Sequence, residues 1–145
     1  MRKVVLLVED NEDDEILTLR AFRKSRLANE VVVVRDGEEA LDYLHARGEH
    51  QNRNPEEVPD LILLDLKLPK VGGLEVLEDI RKNPITMHIP VVVLTSSKHE
   101  EDLLASYALG ANSYVRKPVD FERFMEATLQ LGMYWLVLNE TPPKQ

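Results

Sequence analysis

The sequence predicts a doubly wound α/β domain, a five-stranded parallel sheet with helices on both faces. Three observations carry that reading. Short, continuous apolar runs recur at a regular beat along the chain, which suits strands buried on both faces. Patterns of helical period fill the intervals between them. The length, 145 residues, is that of one domain, or of one domain with a tail, and is enough to bury a core.

The elements follow in order. The first strand is Val4–Val8, and acids at Asp13, Asp14 and Glu15 open a helix at its positive end. Ile16, Leu19 and Phe22 then repeat at helical spacing. Val31 to Val34 make the second strand, and Asp36-Gly37 starts a helix carrying Ala40, Leu41 and Leu44. Leu61–Leu64 make the third strand. Its helix follows Gly72-Gly73, carries Leu74, Leu77 and Ile80, and stops at Asn83-Pro84. Val91 to Leu94 form the fourth strand, with Leu103, Leu104 and Tyr107 on a helix that ends at Gly110, a left-handed cap. Ser113–Arg116 is a weaker fifth strand, and the last helix, beginning after Asp120, carries Phe121, Phe124 and Met125. Right-handed crossovers place these helices on both faces of the sheet. Residues 1–140 form the domain with its last helix, and residues 141–145 read as a disordered tail.

The charge balance excludes several functions. With 26 acidic against 18 basic residues the net charge is −8, unlike a general binder of nucleic acid or of an anionic membrane. There are no cysteines, so disulfides, thiol chemistry and cysteine-ligated zinc are all absent. The first apolar run has five residues, too few for a signal-peptide core or a membrane span, and the expected location is the cytoplasm.

Ligands of open α/β sheets bind beyond the carboxyl ends of the strands. There the first strand delivers Glu9-Asp10, the third Asp65, the fourth Thr95-Ser96-Ser97 and the fifth Arg116-Lys117-Pro118. Taken singly, Glu9-Asp10 reads equally as a helix-capping turn and Asp65 as a turn former. Together they are mutually costly. Two like charges about 4 Å apart repel by roughly 4 kcal/mol at an effective dielectric near 20. A hard divalent cation such as Mg²⁺, with oxygen ligands, resolves that repulsion, and Lys117 adds a point charge suited to a phosphoryl oxygen.

The segments Val4 through Asp13, Leu61 through Pro69, Val92 through Ser96 and Ser113 through Pro118 together resemble the receiver domain of two-component response regulators. The resemblance runs from about Lys3 to Leu131. It is closer still to single-domain regulators of bacterial phytochrome-type and similar hybrid kinases, through the long segment from Gly48 to Pro59, Gly110 to Tyr114, Pro118 to Phe121 and Tyr134-Trp135. It implies a flavodoxin-like (βα)5 receiver fold with strand order 2-1-3-4-5 and a role in phosphorelay signal transduction. Asp65 is then the phosphoacceptor. Mg²⁺ or Mn²⁺ sits on Glu9, Asp10, Asp65 and the backbone carbonyl of Lys67. Thr95 and Lys117 meet the phosphoryl group, Tyr114 is an aromatic switch, and the Lys117–Pro118 peptide bond is cis. The implied partner is a sensor histidine kinase, of phytochrome type or hybrid, with no nucleic acid and no membrane. No turnover of a separate substrate is expected beyond the domain's help in its own phosphorylation and dephosphorylation. No segment after Pro118 is long enough for an output domain, so output is expected through another protein.

Two positions depart from the family pattern. Gly72 stands where the family often has Asp or Asn, predicting an altered turn beside an intact site. Lys67 sets a long cation at the pocket mouth, either as a shield for the phosphoryl group or as an ordinary exposed lysine. The intact five-part site argues against a pseudo-receiver that takes no phosphate, the lack of a P-loop and of an Asp-x-Asp arrangement argues against a phosphatase on the same fold, and a flavin carrier would leave the acidic site unexplained.

Elsewhere the readings are plainer. His45, His50, His88 and His99 form no ligand set and read as surface or loop residues. Tyr107 reads as packing. The polar segment from Gly48 to Pro59 is either a surface insertion or a partner loop. Met133 through Leu138, with Tyr134, Trp135 and Leu136 at its centre, reads either as a buried continuation of the last helix or as an interface; a homodimer through this end is the expectation.

Overall fold

The computed structural model describes residues 3–25, 30–117 and 121–143, with the side chains of Ser25 and Phe121 outside that set. Five strands form one parallel sheet in the order β2-β1-β3-β4-β5. They are β1 (Val4–Val8), β2 (Glu30–Val34), β3 (Leu61–Leu64), β4 (Val91–Thr95) and β5 (Ser113–Arg116). Between and after them run α1 (Glu12–Ser25), α2 (Gly37–His45), α3 (Gly73–Lys82), α4 (Glu100–Ala108) and α5 (Phe121–Gly132). The expected fold class and strand order are both present.

The apolar runs are continuous because alternate side chains serve two different cores. Leu6, Val8, Ile62, Leu64, Val91 and Val93 pack with Ala40 and Leu44 of α2 and Val76, Leu77 and Ile80 of α3. Val5, Leu7, Leu61, Leu63 and Val92 face the other way, toward Phe22 of α1 and Leu131 of α5. A polar residue anywhere in 5–8 or 61–64 would lie in one core or the other.

Helix starts and stops follow local chemistry. Asp36 caps α2 by accepting the Glu39 N–H at 2.7 Å. The α3 helix ends at Lys82 before Asn83-Pro84. Gly110 takes a φ of +98° just beyond α4, a backbone that side chains rarely adopt.

Four expectations change. Leu104 and Tyr107 of α4 are 64% and 50% exposed, so Tyr107 is not a packing residue, and Ser106 is the buried residue of that helix. The apolar spacing marks an outward face of α4 instead of a core stripe. His45 and His50 are half-buried, not free surface residues: His45 lies 2.7 Å from Asp79, and His50 lies 3.3 Å from Glu39. The segment 48–59 is fastened to α2. It opens with a 3-10 turn (Gly48–His50), and Arg53 stacks 3.8 Å over the Tyr43 ring and donates to the Tyr43 carbonyl. Finally, the end of the chain is both continuation and surface. A π-helix (Met133–Leu138) prolongs α5 and buries Leu136, while Tyr134, Val137 and Leu138 stay exposed. The Lys117–Pro118 bond reaches into residues outside the described set.

Candidate functional site

Strand register assembles the site. Val8 pairs with Leu64, so the residues that follow, Glu9 and Asp65, leave the sheet side by side at its carboxyl edge. Thr95 pairs with Arg116, which places Lys117 at the same edge one residue on. Backbone bonds fix these exits: Glu9 N–H donates to the Val34 carbonyl at 3.0 Å, Asp65 N–H to Val8 at 3.1 Å, and Lys117 N–H to Thr95 at 2.7 Å.

Close approach of α3 is part of the construction. A Cβ on Gly73 would stand 2.3 Å from the Asp65 carbonyl oxygen, so only glycine lets the helix start against the Asp65 backbone. Gly73 N–H also donates to the Leu66 carbonyl at 3.0 Å. Gly72 caps α3 with extended backbone and no side-chain bond, and the neighbouring Asp65 contacts are intact.

The site is a buried, acid-rich pocket. Glu9 is 2% exposed and Asp65 5%, whereas Asp10 faces solvent. The Lys117 ammonium meets three carboxylates at once: Glu9 at 2.7 Å, Asp14 at 2.7 Å and Asp65 at 3.0 Å. Its three N–H groups match those three acceptors. Asp65 takes a second bond from the Lys67 N–H at 3.2 Å, and Glu9 one from the Asn11 N–H at 3.1 Å.

Charge is finely balanced here. Burial pushes the Glu9 carboxyl up to about 7; the Lys117 ammonium pulls it down, the Asp65 charge raises it further and the Asn11 N–H lowers it. Burial alone would weaken the Lys117 ammonium, yet its bonds to Asp14 and Glu9 and the charges of Asp65 and Glu9 hold it firmly protonated.

Glu9, Asp10 and Asp65 each offer an oxygen, and all three lie within 4.8 Å of one another. That donor set is all carboxylate oxygen, which fits a hard divalent cation. The ammonium already touching two of the three shows that the group holds positive charge in this geometry. Among the described residues no other set of histidine and carboxylate groups converges in this way.

Thr95 and Tyr114 lie one step away from the carboxylates. Thr95 is fully buried, and its hydroxyl accepts the Ser97 N–H at 3.3 Å. Tyr114 is half-buried, and its hydroxyl reaches the Ser97 carbonyl at 3.4 Å. Ser97 therefore joins the two, and its own hydroxyl donates to Asp102 of α4 at 2.5 Å.

Asp14 is the residue the sequence reading passed over. In the sequence it reads as one of the acids that open the helix. The missed signal is positional: Asp14 lies in the first turn of a helix that begins three residues after Glu9, so it can lean back over the strand ends.

The chain matches the model of the response regulator receiver domain over residues 5–129. It is 42% identical to response regulator Rcp1 of Synechocystis sp. over 92% of this chain and 89% of that one. The Mn²⁺-bound structure of Rcp1 superposes with a TM-score of 0.89, at 40% identity over 97% of this chain and 99% of that one. The phosphorylated cyanobacterial phytochrome response regulator RcpA gives a TM-score of 0.91, at 41% identity over 99% and 100%. The bacteriophytochrome response regulator RtBRR is 55% identical over 99% of this chain and 86% of that one, with a TM-score of 0.78.

Proposed function

We propose, because the chain belongs to the response regulator receiver family of two-component signalling, that Asp65 is its phosphoacceptor. The observation that carries this is the pairing of Asp65 with Lys117 at 3.0 Å inside the three-carboxylate group. An Asp65 oxygen attacks phosphorus to form a mixed anhydride, while the bond from phosphorus to the donor imidazole nitrogen breaks and that nitrogen keeps the electron pair. Mg²⁺ or Mn²⁺ on Glu9, Asp10, Asp65 and the Lys67 carbonyl supplies neutralising charge when bound. Lys117 orients and neutralises the incoming phosphoryl oxygens.

The switch runs through Ser97. If the Thr95 hydroxyl turns to a phosphoryl oxygen, it gives up the Ser97 N–H, and the loop carrying the Tyr114 anchor and the Asp102 bond is released. The face of α4, β5 and α5 then changes its partners. Residues 1–140 serve as the receiver domain and 141–145 as a tail. The protein works in the cytoplasm; among the described residues no helix is long and apolar enough to cross a membrane.

Similarity to RcpA and RtBRR supports a phytochrome-type histidine kinase as donor. Exposed Tyr134, beside Trp135 and Leu136, supports a homodimer through the π-helical end. A monomer in sedimentation at high micromolar concentration would remove the dimer. The central test is direct: incubate the protein with Mg²⁺ and acetyl phosphate and weigh it. The wild type gains one phosphoryl mass and Asp65→Asn gains none; labelling of the variant would sink the assignment.

A further inference from the structure

Lys117 touches three carboxylates, and they are not equivalent. Glu9 and Asp65 also belong to the group whose oxygens converge on one point, while Asp14 does not. A cation in that group draws on the same carboxylates that now bind the ammonium. Asp14 is then the acid left to Lys117 alone.

Local geometry aims Asp14 at this task. Asn11 stands just before α1 and its side chain accepts the Asp14 N–H at 3.0 Å. A Glu or Gln in the place of Asp14 would complete a capping box by accepting the N–H of the capping residue. Here the Asn11 N–H is taken by Glu9 at 3.1 Å. The Asp14 carboxylate is freed from the helix end and lies 2.7 Å from Lys117. One backbone bond to a site carboxylate thus releases another carboxylate for the lysine.

We propose, resting on the reading of Asp65 as phosphoacceptor, that Asp14 is a positioning residue that keeps the Lys117 ammonium over Asp65 once a divalent cation engages Glu9 and Asp65. It acts through Lys117. With one N–H held by Asp14, two remain for phosphoryl oxygens. Without that anchor a four-carbon stem carries the charge, and ordering it opposes the reaction.

The test follows the Lys117 side-chain ammonium by ¹⁵N–¹H NMR, with chelator and with saturating Mg²⁺. The wild type shows a protected ammonium in both conditions. Asp14→Asn keeps the signal in chelator and loses it in Mg²⁺, and Asp14→Glu restores it. Phosphoryl uptake from acetyl phosphate by Asp14→Asn slows about tenfold, the loss of one charge-assisted hydrogen bond, while Mg²⁺ affinity stays within about twofold. A signal that survives in Mg²⁺-loaded Asp14→Asn overturns the proposal. So does its loss from the wild type on Mg²⁺ saturation, which needs no variant. The ammonium measurements require no phosphate, so failure of the wild type to take phosphate would count against Asp65 separately.

Discussion

Lys117 and Arg81 stand at opposite edges of the sheet, and they are held in opposite ways. At the carboxyl edge Lys117 sits among three carboxylates. At the amino edge Arg81 has, among the described residues, no carboxylate. Its guanidinium donates to the carbonyls of Gly110 at 2.9 Å, Met87 at 3.0 Å and Ile89 at 2.8 Å, and to the Asn112 side chain at 2.9 Å. Burial lowers its pKa. Backbone dipoles are fixed in place and keep Arg81 where it is, tying α3 to the turn before β4 and the loop before β5. Carboxylates can trade one cation for another. The difference separates a brace from a site.

The largest effect should come from breaking the exchangeable pair. Lys117→Met leaves clustered acids without their counter-charge, and phosphoryl uptake should fall by about a hundredfold, a loss of roughly 3 kcal/mol in the transition state. In chelator the same variant melts early, and Mg²⁺ recovers part of the loss. A variant equally stable with and without Mg²⁺ would show that the two cations do not share the acids.

Arg81→Met should act on stability alone. Four acceptors lose their donor, costing about 3 kcal/mol, or roughly 10 °C in melting temperature. Mg²⁺ recovers none of this loss beyond what it adds to the wild type, and phosphoryl uptake stays within about twofold. Slowed uptake in the folded variant would erase the contrast between the two edges.

A third prediction concerns pH. Folded Glu9 holds its proton up to about 7, against an ordinary value of 4.5. Across that interval the folded chain binds more protons than the unfolded one, so metal-free stability falls as pH rises from 4.5 to about 7 and then levels. Lys117, protonated throughout, adds no slope there. Cation affinity moves oppositely, rising toward pH 7 as the carboxylate is freed. Urea midpoints in chelator at acid and neutral pH, with proton release on adding Mn²⁺, measure both slopes; a stability that rises across this interval, or an affinity that falls, would place the Glu9 burial cost elsewhere.

The smallest effect is expected at Lys67, exposed at the pocket mouth. If its side chain shields the phosphoryl group, Lys67→Ala should shorten the phosphate half-life by about twofold. An unchanged half-life leaves its backbone as its contribution, since its N–H already serves Asp65.

The strands and their terminal acids were legible because continuous apolar runs end abruptly in charge. Glu9, Asp65, Thr95 and Lys117 stand at those ends, and parallel register does the rest. Asp14 was not legible, because its direction depends on which group claims the Asn11 N–H, a choice made between residues of different elements. The α4 spacing misled for a related reason. Leu104 and Tyr107 have helical period, but period alone does not say which face meets the sheet. Aromatic character at 134–135 signalled importance without saying whether it was covered, and the π-helical turn leaves some of it on each side.

Helix α4 has one further consequence. It buries Ser106, whose hydroxyl bonds the Asp102 carbonyl within the same helix at 2.7 Å, contributes none of residues 100–108 to either apolar core, and is tied at its start by Ser97 donating to Asp102. Moving it therefore leaves both apolar cores intact. Local rearrangements of elements with few buried apolar contacts cost less than opening a whole domain, so on the proposed function a phosphoryl group at Asp65 would have to bias only this helix. The message and the scaffold draw on separate reserves, which lets the outward face of α4 diversify toward new listeners without endangering the fold that carries Asp65.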